Sequence, residues 1–352
     1  MSKLTLTTAA LLTAAASTAQ AGIDRSNQDI SILFEEGNYL SFSYGDINPD
    51  IKGTANGVAP VGQSAVDYSQ FSMGYKAQLN DQISLALIWD QPFGASINYA
   101  GTPLDPGMAE VKSSALSGIL RYEMGNGFSV HAGARAQKVS GEIISGLGML
   151  DAESKTEWGG LVGVAYERPE IALRVALTYF TKVDHKLTGV RATPFGVEAV
   201  TGSVEMPEAI NLDFQTGIAE NTLVFGSVRH AKWNNISLDT TGPGFGDANW
   251  VNFVEDITSY ELGIGRRLNE NWSVSLAFGY KDGMDTGSTF LAPAGAQKSV
   301  TVGAKYTQDN FDISAGVQYS QFDTKTVSSG GTTVVYDDGD AIAVGVKMGL
   351  RF

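Results

Sequence analysis

The chain has 352 residues, 41 of them glycine, no cysteine, and a formal net charge of −14. Without cysteine there are no disulfides and no thiolate-held metals, and the acidic balance argues against nucleic acid or an anionic surface as partner. Aromatics at 10% and charged residues at only 18% suit either a lipid-embedded β-barrel or a soluble β-sandwich.

Residues 1–21 combine a basic start (Lys3), an apolar and small-residue run (Leu4 to Ala16) and Ala19-Gln20-Ala21. This is the layout of a secretory signal peptide, with a mature chain from Gly22. No later run of about 18 apolar residues exists, so no transmembrane helix is predicted. Residues 22–38 carry the cluster Ile30, Ile32, Leu33 and Phe34 ahead of the first strand. Left in water such a cluster is a liability, so the segment is expected to fold into a barrel as a short plug.

From Tyr39 onward the hydrophobic period is two. Tyr39–Asn48 is the first predicted strand. Pairs then follow at Phe71–Ala77 with Ile83–Trp89, Leu116–Tyr122 with Phe128–Ala136, and Trp158–Tyr166 with Ile171–Phe180. Further pairs are Ile210–Ile218 with Leu223–Ala231, Tyr260–Gly265 with Trp272–Tyr280, and Val300–Tyr306 with Phe311–Tyr319. The closing strand sets Ile342, Val344, Val346, Met348, Leu350 and Phe352 against Ala343, Gly345, Lys347, Gly349 and Arg351. Each pair is joined by a short polar turn, whereas longer loops lie at about 49–64, 91–108, 138–153, 184–205, 233–252, 281–295 and 323–339.

Strict alternation of short and long connections, with an even number of strands, is the plan of an outer-membrane barrel. A sandwich has no reason to sort its loops so. Closure follows because an open edge would leave backbone groups unpaired in hydrocarbon. The predicted fold class is therefore all-β, a 14-stranded antiparallel transmembrane barrel (39–352) holding a short N-terminal plug (22–38) in its lumen. Aromatics beside the short turns (Tyr122, Phe128, Tyr166, Trp272, Tyr306, Phe311, Phe352) and at the far ends (Trp89, Tyr179, Tyr280, Tyr319) form two expected girdles. The expected location is the outer membrane of a Gram-negative cell. Its lipid and lipopolysaccharide, and the barrel-assembly machinery that reads the C-terminal strand, are the expected partners.

The segment Pro92-Phe93-Gly94-Ala95-Ser96-Ile97-Asn98-Tyr99 resembles the Pro-Phe-Gly…Tyr stretch after the third strand of the FadL/TodX family of outer-membrane channels for hydrophobic compounds, whose members are 14-stranded barrels with an N-terminal plug. The sequence departs from that family where Glu35-Glu36-Gly37 stands in place of the usual Asn-Pro-Ala, and in the shortness of the plug. The resemblance implies passive uptake: capture at the third and fourth outer loops, passage to a pocket against the plug, and sideways release into the membrane. It implies a long-chain fatty acid as substrate, with aromatic hydrocarbons as the alternative. A water-filled porin and a structural or adhesive barrel are the other readings; for an adhesin the loops are short.

Capture residues expected in the third loop are Ile143, Ile144, Leu147, Met149 and Leu150, and in the fourth Leu187, Val190, Phe195 and Val197; packing of loop on loop would use the same side chains. Phasing the strands from their lipid-facing residues puts Lys76, Arg121, His131, Arg135, Arg174, Arg267, Lys305, Lys347 and Arg351 inside, with Asp213, Glu261 and Asp312. Arg135 and Arg174 are the candidates for a carboxylate head group, with Ile32, Leu33 and Phe34 of the plug beside them. The third strand ends at Asp90, and proline interrupts a ladder, so Asp90, Pro92, Phe93 and Gly94 are expected at the lateral opening. No metal, cofactor or catalytic set is expected: His131, His185 and His230 lack ligand spacing, and no nucleophile elbow is evident.

Overall fold

The computed structural model describes residues 23–283, 290, 292–329, 331–337 and 339–352. The signal peptide expected at 1–21 lies outside the described residues. Fourteen wall strands are β1 (Tyr39–Asp50), β2 (Tyr68–Gln78), β3 (Ile83–Asp90), β4 (Met108–Gly125), β5 (Phe128–Ser145), β6 (Glu157–Arg168) and β7 (Leu173–Phe180). They continue as β8 (Ala209–Ala219), β9 (Thr222–Ala231), β10 (Ile257–Arg267), β11 (Trp272–Lys281), β12 (Gln297–Gln308), β13 (Phe311–Phe322) and β14 (Gly339–Arg351). Each pairs antiparallel with its neighbours, and β1 pairs on one side with β2 and on the other with β14, from Tyr39↔Arg351 to Asp50↔Asp340. The strands thus close into a barrel.

Side-chain alternation explains the wall. On β14 the apolar residues Ile342, Val344, Met348, Leu350 and Phe352 are exposed on the outside, while Lys347 is buried inside. The same outward phase continues through Phe42, Tyr44, Leu87, Leu120, Val164, Leu177, Leu262, Phe278, Val302 and Val317. An apolar belt of that extent on a water-soluble protein would aggregate; against lipid it is the solvated face. Tilted ring pairs pack across neighbouring strands near the short turns, Phe128 with Tyr166 at 4.7 Å and Trp272 with Tyr306 at 5.1 Å, and Tyr260 and Tyr280 meet at 6.4 Å toward the other end. The tight β4–β5 turn is possible because Gly125, Asn126 and Gly127 all take positive φ, a conformation that glycine and asparagine adopt at little cost.

The longer connections differ from the sequence expectation: most are not loops. Strands β4 and β5 have 18 residues each, about 60 Å of strand, where about 9–11 residues cross a bilayer. The excess stands above the membrane. The predicted third loop is a hairpin in which β5 turns at Gly146-Leu147 into Gly148–Ser154. The predicted fourth and fifth loops are hairpins as well, Val183–Thr193 with Gly196–Met206 and Ile236–Gly242 with Gly246–Phe253, and all join one continuous sheet. A small second sheet links Gly53–Ala55 and Ala59–Val61 to Lys325–Ser329 and Thr332–Tyr336. The sequence reading missed this because polar residues on the outer faces of those hairpins read as loop composition.

Two larger apolar cores form among the described residues, beside a small cluster of Leu223, Phe225 and Ala277. The larger is in the outer part, where Phe93, Ile97, Tyr99, Ile143, Leu150, Leu187, Met206, Trp233, Ile236, Trp250 and Phe253 meet. The smaller is inside the wall, around the N-terminal segment.

Candidate transport path

Residues 23–38 run through the barrel interior and are tied to opposite walls. Asp24 forms a bridge with Phe93, the Arg25 amide donates to the Pro92 carbonyl at 2.8 Å, and the Gly94 amide to the Ile23 carbonyl at 2.8 Å. From the far wall Arg229 (β9) reaches in: its Nε donates to Asp24 Oδ2 at 3.0 Å, and Nη1 donates to Gln28 Oε1 at 3.0 Å and Asn211 Oδ1 at 2.9 Å. The Asn211 amide donates to the Asn27 carbonyl at 2.7 Å. Ser26 Oγ donates to Asp90 Oδ2 at 2.6 Å.

Lower down, Ser31–Phe34 form a 3₁₀ turn whose Leu33 is wholly buried among Ala86, Ile119, Leu161, Ala176 and Phe180. Ile32 rests against β2 where Gly74 stands: a Cβ there would lie 2.5 Å from Ile32 Cδ1. Lys76 Nζ donates to the carbonyls of Glu35 (2.6 Å) and Gly37 (3.2 Å), and Arg351 binds both Glu35 (2.7 Å) and Asp312 (3.0 Å). Glu35, which stands where the family's motif was missed, thus serves as an anchor to the closing strand. Phe34 is held between two guanidiniums, Arg121 and Arg174, each 4.8 Å from its ring, with His131 edge-on at 6.2 Å.

The wall is interrupted in one stretch. β2 pairs with β3 only from Gln78↔Ser84 to Met73↔Trp89. After Asp90 the chain turns inward: Phe93, buried, exchanges bonds with Ser113 of β4 (2.8 and 2.6 Å), and pairing with β4 resumes at Gly94↔Lys112. Contact with the segment before β2 returns at Ala65↔Ile97, with the Val66 amide on the Ser96 carbonyl and the Asn98 amide on the Ser64 carbonyl. Between these points, among the described residues, the backbone of 67–72 makes no ladder bond with 90–95, and Phe71 N instead donates to the Gln91 side chain at 3.1 Å. Six residues of strand span roughly 20 Å.

A cavity of about 100 Å³ lies at this gap. It is lined by inward residues (Ser41, Ser43, Gln70, Lys347), by outward residues (Tyr44, Phe71, Met73) and by Ile32 of the N-terminal segment. Both faces of the wall contribute to its lining. Of the four residues expected at an opening, Asp90 lines this cavity. Pro92, Phe93 and Gly94 do not: they are drawn inward and covered by residues 23–25. Their part is to make the gap, and Ser72, Tyr44 and Met73, which the sequence reading did not single out, form its rim.

A second cavity, of about 60 Å³, lies in the outer core. Its lining is apolar, including Val139, Ile143, Leu150, Leu187, Met206 and Trp233. Of the expected capture residues, Ile143 and Leu150, paired across the hairpin, and Leu187 line it. Ile144 and Met149 alternate to the other face. Leu147 sits at one hairpin tip and Phe195, 90% exposed, at another. Strand alternation accounts for the split: a loop could have turned all five third-loop side chains to one side, a hairpin cannot. Trp233, Val251 and Phe253 were missed because the fifth loop reads as polar overall.

Arg135 and Arg174 are not together. Arg135 pairs in register with Gly159 and Arg174 with Glu167, eight positions along the same strand, roughly 26 Å. Arg135 is buried, with its Nε on Ser117 Oγ at 3.3 Å and its guanidinium over the Phe180 ring at 5.1 Å. Arg174 lies beside the short β6–β7 turn and helps line a charged vestibule of about 770 Å³ at that end, with Glu35, Glu123 and Arg121. β7 begins at Leu173, so Arg174 is its second residue and stands beside the turn, whereas Arg135 stands well along β5.

No family model and no curated protein matches the sequence. Solved structures do. The chain is similar to a Pseudomonas aeruginosa FadL homologue, with a TM-score of 0.79, 14% identity, and 92% of each chain covered. It is also similar to the Pseudomonas putida toluene transporter TodX, with a TM-score of 0.67, 15% identity, and 96% of this chain and 98% of that one covered. The Ralstonia pickettii toluene transporter TbuX gives a TM-score of 0.67 and 15% identity, with 96% and 97% covered. The fold is that of these channels.

Proposed function

We propose that the protein is a passive outer-membrane channel for uncharged hydrophobic small molecules, which enter at the apolar cavity of the outer core and leave sideways through the gap between β2 and β3. The observation that carries this reading is the gap itself. A sealed wall would serve an aqueous pore equally well, whereas an opening lined by residues of both faces serves a solute that partitions into lipid. The gap is made by the inward turn at Asp90–Gly94 and held open by the segment that pairs with it. Two structural neighbours, TodX and TbuX, are toluene transporters, which agrees with it.

An uncharged cargo fits better than a fatty acid. Among the described residues no ionisable side chain lines the outer cavity, and transferring a carboxylate there without a partner is costly. Four basic residues deeper in the barrel already have acidic partners: Arg229 with Asp24, Arg351 with Glu35, Lys305 with Asp312 at 3.3 Å, and Arg121 with Glu167. The outer cavity is also smaller than the ~150 Å³ that holds a benzene ring in an engineered core, so cargo must displace side chains; Met206, in the lining, is suited to that. In this reading no reaction is catalysed, no cofactor is used, the surrounding partners are outer-membrane lipid and lipopolysaccharide, and the barrel-assembly machinery reads β14.

Leu150→Asp places a charge in the cavity wall. Uptake of a radiolabelled aromatic hydrocarbon by cells making this variant is expected to fall by about tenfold at equal surface abundance. Uptake equal to the parent would refute entry by this route.

A further inference from the structure

Trp233 is the odd residue in the outer cavity. It follows β9 directly, is 1% exposed, and packs its ring against Phe93 (5.7 Å, edge-on) and Phe253 (5.1 Å). Its indole Nε1 is buried and has no hydrogen-bond partner among the described residues. The other fully enclosed outer tryptophan, Trp250, differs: its Nε1 donates to Thr240 Oγ1 at 2.8 Å. An indole N–H is a donor only, and a buried donor left unmade is a cost that natural cores seldom keep without use. Here it belongs to a residue lining a cavity whose other described side chains, Ser140 apart, offer apolar surface.

Resting on the uncharged-cargo reading above, we propose that the Trp233 indole N–H is a specificity group for a hydrogen-bond acceptor on the cargo, so that the cavity selects neutral apolar molecules carrying one carbonyl or ether oxygen over plain hydrocarbons of the same shape. The chemistry is one-sided. A carbonyl oxygen meets the unpaired donor and loses little else on entering, whereas a hydrocarbon leaves it unpaired, and a carboxylate brings a charge with no cation to meet it. Selection by a polar group the site already holds is sharper than selection by shape, because the wrong ligand leaves that group unpaired. The aromatic neighbours Phe93 and Phe253 fix the indole plane, which limits the directions from which an acceptor can approach.

Acetophenone and ethylbenzene are close in shape and differ in C=O against CH₂. Binding of each to the purified barrel in lipid nanodiscs is measured by calorimetry for the parent and for Trp233→Phe, which keeps an aromatic ring and removes the donor. The ratio of parent to variant affinity for each probe cancels partition into lipid. Acetophenone is expected to lose about fivefold and ethylbenzene to stay level. Equal losses for both probes, or none for either, overturn the proposal while leaving hydrocarbon transport standing; failure of both probes to bind the parent overturns the uncharged-cargo reading and this proposal with it. Should Trp233→Phe not fold, the infrared C=O stretch of acetophenone bound to the parent decides alone: a shift to lower wavenumber supports the bond, and the value found in dry hydrocarbon refutes it.

Discussion

Tryptophan in place of Ser72 is expected to stop export through the wall while leaving the outer cavity able to load. Ser72 lies on the stretch of β2 that has no ladder partner on its β3 side, and it lines the gap cavity of about 100 Å³. An indole overfills that space, and it does so where β3 has already turned away, so no existing strand pair has to break. Uptake of labelled hydrocarbon should fall by about tenfold or more, with affinity of the purified barrel for the same probe unchanged. The same substitution at Ser314, an inward position of the sealed wall on β13, where Lys347 stands opposite, controls for bulk alone. Loss at Ser72 with uptake preserved at Ser314 separates the gap from general narrowing.

Arg229→Ala is expected to release the N-terminal segment. The guanidinium joins Asp24, Gln28 and Asn211, and both Arg229 and Asp24 are buried. Removing one partner of a buried ion pair leaves the other charge uncompensated, at about 3–5 kcal/mol. The barrel itself is held by fourteen ladders and does not depend on this pair, so the loss falls on residues 23–30. Planar-bilayer recordings should show a steady ionic current that the parent lacks, and Asp24→Asn combined with Arg229→Ala should suppress much of it, because no buried charge then remains unpaired. A silent Arg229→Ala barrel would mean that Leu33, Phe34 and the Lys76 and Arg351 anchors hold the segment without help.

The wall was legible in the sequence because a bilayer demands a strict two-residue period and sorted turns. The phase read from Phe352 outward and Lys347 inward holds around the barrel, with His131, Lys305 and Asp312 buried on the inner side. Above the membrane that grammar stops. Outer hairpins pack against one another, so their exposed faces are polar and their Gly-Leu or Pro-Phe-Gly turns, at 146–147 and 194–196, resemble loop composition. That is why Ile144, Leu147, Met149 and Phe195 were grouped with Ile143 and Leu150 although the structure separates them. Trp233 was passed over because nothing in Lys232-Trp233-Asn234-Asn235 tells a buried tryptophan from an interfacial one.

The gap was half legible. Proline at 92 marked the end of pairing, but the inward turn depends on a partner 69 residues upstream in sequence, Asp24 for Phe93, with the Arg25 amide on Pro92, and no local pattern carries that. That Arg135 and Arg174 stand far apart was hidden for a related reason. Their inward phase came from alternation, whereas their heights came from the stagger of β5 against β7, which only the ladder register fixes.

The central claim is that cargo leaves through the side of the barrel and not along its axis. Photolabelling tests this most directly: a diazirine-bearing hydrocarbon is given to cells making the parent protein, illuminated during uptake, and the modified residues are read by peptide mass spectrometry. Sideways exit predicts label on Tyr44, Phe71 and Met73 at the gap, together with Ile143 or Leu150 at the entrance, at levels that free hydrocarbon already in the membrane does not produce on equally outward residues such as Leu262 and Phe278. Label on Glu123, Glu167 and Arg174 in the vestibule at the short-turn end, with none at the gap, would contradict it.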